Sequence, residues 1–122
     1  HNMTNNRIVH FEIPADQPEA LTGFYGSLFG WKFQKAPHPG PEYWLCHTGS
    51  GEPGINGAVM QRQDAKQPWM NYVDVASIDR TIEEAVKLGA HVAMPKTPVP
   101  GVGAVAAITD PQGNLCGLFE RI

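Results

Sequence analysis

Cysteine is scarce in this chain, with two in 122 residues. Cys46 and Cys116 both sit in apolar, strand-like stretches, so buried reduced thiols are expected rather than a disulfide framework. Charge is sparse as well, at 17% of residues with a net value of −3. The nine basic residues are scattered and form no stripe, which removes the electrostatic case for nucleic acid. No apolar run approaches the ~20 residues needed to span a bilayer. A charged segment followed by an apolar one is missing at the start, so no signal peptide is expected and a cytoplasmic setting is. The pair His1-Asn2 ahead of Met3 reads as the scar of an expression tag. There is no Gly-x-Ser-x-Gly, Cys-x-x-Cys or His-Glu-x-x-His, and hence no recognisable nucleophile or zinc constellation.

What the chain does have is 13 glycines, 11 prolines and 42% hydrophobic residues, the composition of one compact domain with many short elements. Residues 8–13 alternate as a half-buried strand, with Val9, Phe11 and Ile13 on one face and His10 and Glu12 on the other. A helix follows, with Asp16 expected as N-cap, Glu19 completing a capping box and Gly30 ending it. Its expected stripe is Ala20, Phe24 and Leu28 with Leu21 and Tyr25, and Phe24 and Tyr25 are assigned to the core. Strands are expected at 31–35, 43–48 and 55–62, with a loop at 37–41 and a turn at 49–54. Residues 63–68 are polar and aperiodic and read as a linker.

The pattern then restarts. A strand at 70–75 puts Asn71, Val73 and Val75 on one face and Tyr72 and Asp74 on the other. A helix is expected at about 79–88, burying Ile78, Ile82, Ala85 and Val86, and Gly89 closes it. Strands follow at 90–94, 104–109 and 114–121. The stretch 95–103 reads as a loop whose segment Pro98-Val99-Pro100-Gly101-Val102-Gly103 is either a plain turn or a lid. The order βαβββ thus occurs twice, in module one (7–62) and module two (69–122) of one domain spanning 1–122. The expected fold class is α+β, two βαβββ modules forming a half-open barrel around a central pocket.

Phe24-Tyr25 with Leu28-Phe29-Gly30-Trp31, Trp69-Met70-Asn71-Tyr72-Val73-Asp74-Val75, Leu88-Gly89-Ala90, and Asp110-Pro111-Gln112-Gly113-Asn114 occur in this order over residues 7–121. Together they resemble the vicinal oxygen chelate superfamily, which includes glyoxalase I, extradiol dioxygenases, fosfomycin-resistance enzymes and bleomycin-binding proteins. The resemblance implies a small-molecule site and a metal held by one ligand from the first and one from the last strand of each module. Those positions fall on His10, on Tyr72 by strand phase, on Gly117, and near Gly57. Divalent sites need three or four side-chain donors at about 2.0–2.3 Å, and glycine supplies none. No tightly bound metal is therefore expected, and no other cofactor.

His10 and Glu12 share a face, where a carboxylate would tune an imidazole for acid–base work; a structural hydrogen bond is the plain alternative. Tyr72 is either an oxygen-orienting donor or a buried tyrosine bonded to the next strand. The expected catalytic set is His10, Glu12 and Tyr72, and the expected ligand-contacting set is Trp44, Met60, Trp69, Asp74 and Phe119. Either Met60 or Gln61 should face the pocket, and His38 and His91 read as surface residues. The function expected from the resemblance is binding or lyase-type transformation of a small organic molecule without metal. Its rivals are a metal-dependent lyase or dioxygenase with a site relocated to His10, Glu12 and His47, and a sequestering resistance protein without catalysis. A fused protein-interaction module is a further rival. A homodimer is the expected assembly, with no nucleic-acid or membrane partner.

Overall fold

The computed structural model describes residues 6–37 and 40–122. The reading of His38 lies outside the described residues. Two compact units emerge: an N-terminal unit of residues 10–69, and a C-terminal unit of residues 70–122 together with residues 6–9. Each is a sheet with one helix on one face, so the chain is α+β.

The N-terminal unit contains β1 (Ile8–Ala15), which begins two residues before it, then α1 (Pro18–Phe29), β2 (Lys32–Lys35), β3 (Tyr43–His47) and β4 (Asn56–Gln61). Its strands lie in the order β2-β3-β4-β1, with β1 parallel to β4 and the other pairs antiparallel. Alternation along β1 sends Phe11, Ile13 and Ala15 into a core with Cys46 and Val59, against which Leu21, Tyr25, Trp31 and Trp44 pack. Gly30 stops α1 at φ 76°, a left-handed conformation that a Cβ would disfavour.

Two expectations for α1 fail. Its N-cap is Gln17 with no side-chain cap, because Pro18 takes the first helical turn and Asp16 instead accepts a 3.0 Å hydrogen bond from Arg62 Nε. Phe24 is no core residue: it is 55% exposed, beside Leu28 at 58% and Phe29 at 57%. The buried side of the helix is centred on Leu21 and Tyr25, one edge of the expected stripe, and its other edge at Phe24 and Leu28 is left as an apolar strip facing water. The 63–68 stretch holds no strand or helix, as its polarity suggested.

The C-terminal unit repeats the plan with β5 (Met70–Asp74), α2 (Ile78–Lys87), β6 (His91–Val99), β7 (Gly103–Thr109) and β8 (Leu115–Arg121). Its order is β6-β7-β8-β5, with β5 parallel to β8. Ser77 caps α2 by accepting from the Arg80 N–H at 3.1 Å, and Glu120 Oε1 accepts from the Ile78 N–H at 2.7 Å, so two of the helix's unpaired donors are satisfied. Ile78, Ile82 and Ala85 pack on Val75, Ala106, Ile108 and Leu118. Val86, expected inside, is 50% exposed.

The largest departure lies at 95–99. These residues continue β6, paired with β7 through two register shifts, instead of forming a loop or lid. Proline is tolerated here because β6 is the last strand of its order, and Pro95 falls within the register shift between Met94 and Thr97. The chain then turns at 99–102, where the Val102 N–H donates to the Val99 carbonyl at 3.0 Å.

Candidate functional site

On β1 the residues between the core positions are His10 and Glu12, and register places them beside Asn56 and Ala58 of β4. Ala58 stands opposite Leu45, and Met60 opposite Tyr43. Facing residues of paired strands share a side, so His10, Glu12, Tyr43, Leu45, Asn56 and Met60 form the face that α1 leaves uncovered.

Tyr43 connects this face. Its hydroxyl donates to Glu12 Oε2 at 2.8 Å, and the same oxygen stands 3.2 Å from His10 Nε2. His10 Nε2 and Glu12 Oε2 are 3.9 Å apart. Because Tyr43 spends its proton on Glu12, its oxygen accepts from His10, and the chain runs His10 N–H to Tyr43 O–H to Glu12 carboxylate. Glu12, at 17% exposure, is more enclosed than His10 at 32%, so the negative end is sheltered and the imidazole is nearer to solvent. Ala58, fully buried between Glu12 and Leu45, is small enough for the Tyr43 side chain to cross β4.

His10 and Glu12 are therefore brought together as expected, with Tyr43 as an unforeseen third member. Of the pair left open, Met60 shares the Tyr43 face, while the Gln61 side chain turns to the Asp16 carbonyl at 3.2 Å. Trp44 and Trp69 are corrections. Trp44 points to the α1 side, packing on the core and donating to Glu42 at 2.8 Å. Trp69 lies against Phe11 and Tyr25, at ring distances of 5.7 and 6.5 Å, again on the α1 side. Buried Cys46 fixes the phase of β3: with Cys46 in the core, Trp44 must follow it and Tyr43 must face away. The sequence alone does not carry this phase, because Leu45 is an equally apolar residue two positions on from Tyr43.

In the C-terminal unit Tyr72, Asp74, Phe119 and Arg121 share the side away from α2. Asp74 is 2% exposed. Its Oδ2 accepts from Arg121 at 2.8 Å, and its Oδ1 has no hydrogen-bond partner among the described residues. The Arg121 guanidinium lies 6.0 Å from the Phe119 ring centre. Tyr72 is buried with its ring on Gly117.

The registers also correct the internal equivalence. Matching the starts of α1 at Pro18 and α2 at Ile78 sets Ile13 against Val73, and the registers then match Ile13–Val59 with Val73–Leu118, so Tyr72 corresponds to Glu12 and Met70 to His10. By the same count Gly117 corresponds to Ala58, and Gly57 faces the α1 side. The positions implied by the resemblance thus hold His10, Met70, Ala58 and Gly117, with one nitrogen or oxygen donor among their side chains. A Cβ at Gly117 would lie 2.6 Å from the Tyr72 ring, so the backbone there leaves no room for a ligating side chain. Among the described residues no three His, Cys, Asp or Glu side chains converge on a metal position, which removes the His10, Glu12 and His47 set. The residues present do not fit the implied metal.

Two hollows open on the N-terminal unit. One of about 390 Å³ is lined by residues including Tyr43, Glu42 and Gln61. The other, of about 440 Å³, is formed by the 47–54 turn and Asn56, the sheet neighbour of His10. Both cysteines are free; burial pushes the Cys46 thiol up to about 11 and raises that of Cys116, so neither is a poised nucleophile. His91 is exposed at the start of β6, and His47 is exposed on β3. No helix among the described residues is long and apolar enough to cross a membrane.

Comparison with known proteins agrees with this layout. Two mycobacterial proteins, among them "Putative glyoxylase CFP32" of Mycobacterium bovis, are 30% identical over 113 residues, covering 89% of this chain. The chain spans 43% of the length of these curated relatives. Among solved structures, a hypothetical protein of Bacillus halodurans superposes with a TM-score of 0.73 at 17% identity, covering 97% of this chain and 96% of that one. The methylmalonyl-CoA epimerase of Mycobacterium tuberculosis superposes with a TM-score of 0.72 at 13% identity, covering 98% and 90%. These likenesses show the fold. The sequence pattern of one family matches residues 7–118, nearly the whole chain, and this protein belongs to the Glyoxalase/Bleomycin resistance protein/Dioxygenase superfamily.

Proposed function

We propose that the uncovered face of the N-terminal unit binds a small oxygen-bearing organic molecule, and that His10 exchanges a proton with it without a tightly bound metal. The observation that carries this reading is the hydrogen-bonded chain His10–Tyr43–Glu12. With Nε2–H held by the Tyr43 oxygen, the other ring nitrogen of His10 is left as a base, so His10 can take a proton from a carbon next to a carbonyl and return it. Glu12 is a positioning residue here, since it acts through Tyr43. On the C-terminal unit, Tyr72 is retained as the proposed oxygen-orienting donor, and Asp74 and Phe119 as proposed ligand-contacting residues, on the side away from α2. A cytoplasmic homodimer is the setting we propose, checked by light scattering and cell fractionation.

The test is proton exchange in D2O. Small carbonyl compounds such as hydroxyacetone and dihydroxyacetone are incubated with the protein, and loss of the C–H signal is followed by NMR. Enzyme-dependent exchange is expected, unchanged by EDTA. His10→Ala should slow it at least about 100-fold, the low end for losing a general base. Exchange that survives His10→Ala, or that EDTA abolishes and added metal restores, would refute the reading. Saturable binding without exchange would leave a sequestering protein in its place.

A further inference from the structure

The 440 Å³ hollow of the 47–54 turn adjoins the His10 face, because Asn56 both lines it and lies beside His10 in the sheet. We infer that this hollow holds the non-reacting part of the ligand, that this part is neutral and rich in hydroxyls, and that the Asn56 amide N–H2 orients it. The inference rests on the reading of the His10 face as a ligand site.

Asn56 is locked by what it already does. Its Oδ1 accepts from the Thr48 N–H at 2.9 Å and lies 3.3 Å from Thr48 Oγ1. Thr48 Oγ1 in turn donates to the Ile55 carbonyl at 2.6 Å, tying the two ends of the turn together. With Oδ1 engaged, the amide presents its two N–H donors elsewhere, and none has a partner among the described residues. A fixed donor beside the acid–base residue is what a ligand oxygen needs for orientation.

The lining selects the class of ligand. Its side chains are the His47 imidazole, the Thr48 and Ser50 hydroxyls, the Pro53 ring and the Asn56 amide, with no lysine, arginine, phenylalanine, tyrosine or tryptophan among them. Gly49, Gly51 and Gly54 carry no side chain, and no atom lies within 4 Å of the place of a Cβ, so these parts of the wall are bare backbone. Such a wall offers donors and acceptors together, which hydroxyl groups match and hydrocarbon does not. No lysine or arginine lines the hollow to neutralise phosphate or another anion, and the one charged residue between Thr48 and Asn56 is Glu52.

The test uses 15N-labelled protein titrated with dihydroxyacetone, inorganic phosphate and 2-butanone. Dihydroxyacetone should shift the Gly49, Gly51 and Gly54 amide signals saturably, and the other two should not. Asn56→Asp keeps the oxygen that Thr48 needs and removes the donor. It should fold as the parent does, weaken dihydroxyacetone binding at least tenfold, and raise KM for exchange more than it lowers kcat. Phosphate shifting these amides more strongly than dihydroxyacetone, or Asn56→Asp binding as tightly as the parent, would overturn the inference. His10→Ala should leave the glycine shifts intact. Shifts that persist while exchange ignores His10→Ala would therefore sink the acid–base reading alone, and His10-dependent exchange without shifts would sink this one alone.

Discussion

Gly117→Ala tests how tightly β8 is fitted to β5. The added Cβ would sit 2.6 Å from Tyr72 Cδ2 and 2.8 Å from the Asn71 carbonyl oxygen. Carbon atoms rest at about 3.5–4.0 Å, so the overlap is roughly 1 Å. Tyr72 is 5% exposed and cannot swing into solvent, and the Asn71 oxygen belongs to the neighbouring strand. Overpacking of this kind costs about 1–3 kcal/mol. Because one obstructing atom is backbone, the cost falls in the upper part of that range, about 2–3 kcal/mol, and restricting the unfolded chain gives back roughly 0.5–1 kcal/mol, leaving a net loss of about 1–2 kcal/mol. At about 4 °C per kcal/mol for a chain of this size, the melting temperature should fall by about 4–8 °C, read by circular dichroism. In a Tyr72→Leu background the ring contact disappears and the same substitution should cost half as much or less. A melting temperature that holds steady, or an equal loss in both backgrounds, would refute the packing argument. A glutamate at 117, which would restore the residue that the family resemblance leads one to look for, meets the same obstruction at its Cβ.

The opposite sign is expected on α1, where Gly23 is exposed with no atom within 4 Å of a Cβ, so Gly23→Ala should raise stability by about 0.5–1 kcal/mol in urea unfolding. Cys46, held near 11 against an ordinary 9.0, has about 100-fold less thiolate than a free thiol, so iodoacetamide at pH 8 should label it only on unfolding. The Asp110 carboxyl is held below its ordinary 3.8 by the Asn114 backbone N–H, then the Asn114 side chain, then the Gln112 N–H. The folded state thus favours the carboxylate: the difference in melting temperature between the parent and Asp110→Ala should be full well above pH 3.8 and shrink as pH falls below it.

The repeated βαβββ order was legible because its signals are local: alternation along the strands, and glycines that end both helices at positive φ, 76° for Gly30 and 106° for Gly89. What escaped depends on neighbours distant in sequence. Proline at 95 and 98 argues against a strand unless one knows that β6 is last in its order. The choice between Phe24 and Tyr25, or between Ala85 and Val86, is a rotation of one residue that only the opposing sheet settles. On the site side, period-two alternation placed His10 with Glu12 and Tyr72 with Asp74. It could not choose between Tyr43 and Trp44, since adjacent aromatic residues satisfy either phase. The matching of Tyr72 to His10 was two positions off because side-chain phase repeats every two residues, and the count is fixed only by where the helices begin, at Pro18 and Ile78.

The apolar strip on α1 has a consequence for how this chain survives its own synthesis. From Ala20 to Trp31 the sequence holds no charged residue, so no gatekeeper interrupts it. In the native helix its backbone groups are internally satisfied and the strip offers only side chains. Before the helix docks, the same stretch is a neutral, aromatic-rich segment open to self-association, which makes refolding a race between docking onto β1 and meeting another chain, decided by protein concentration.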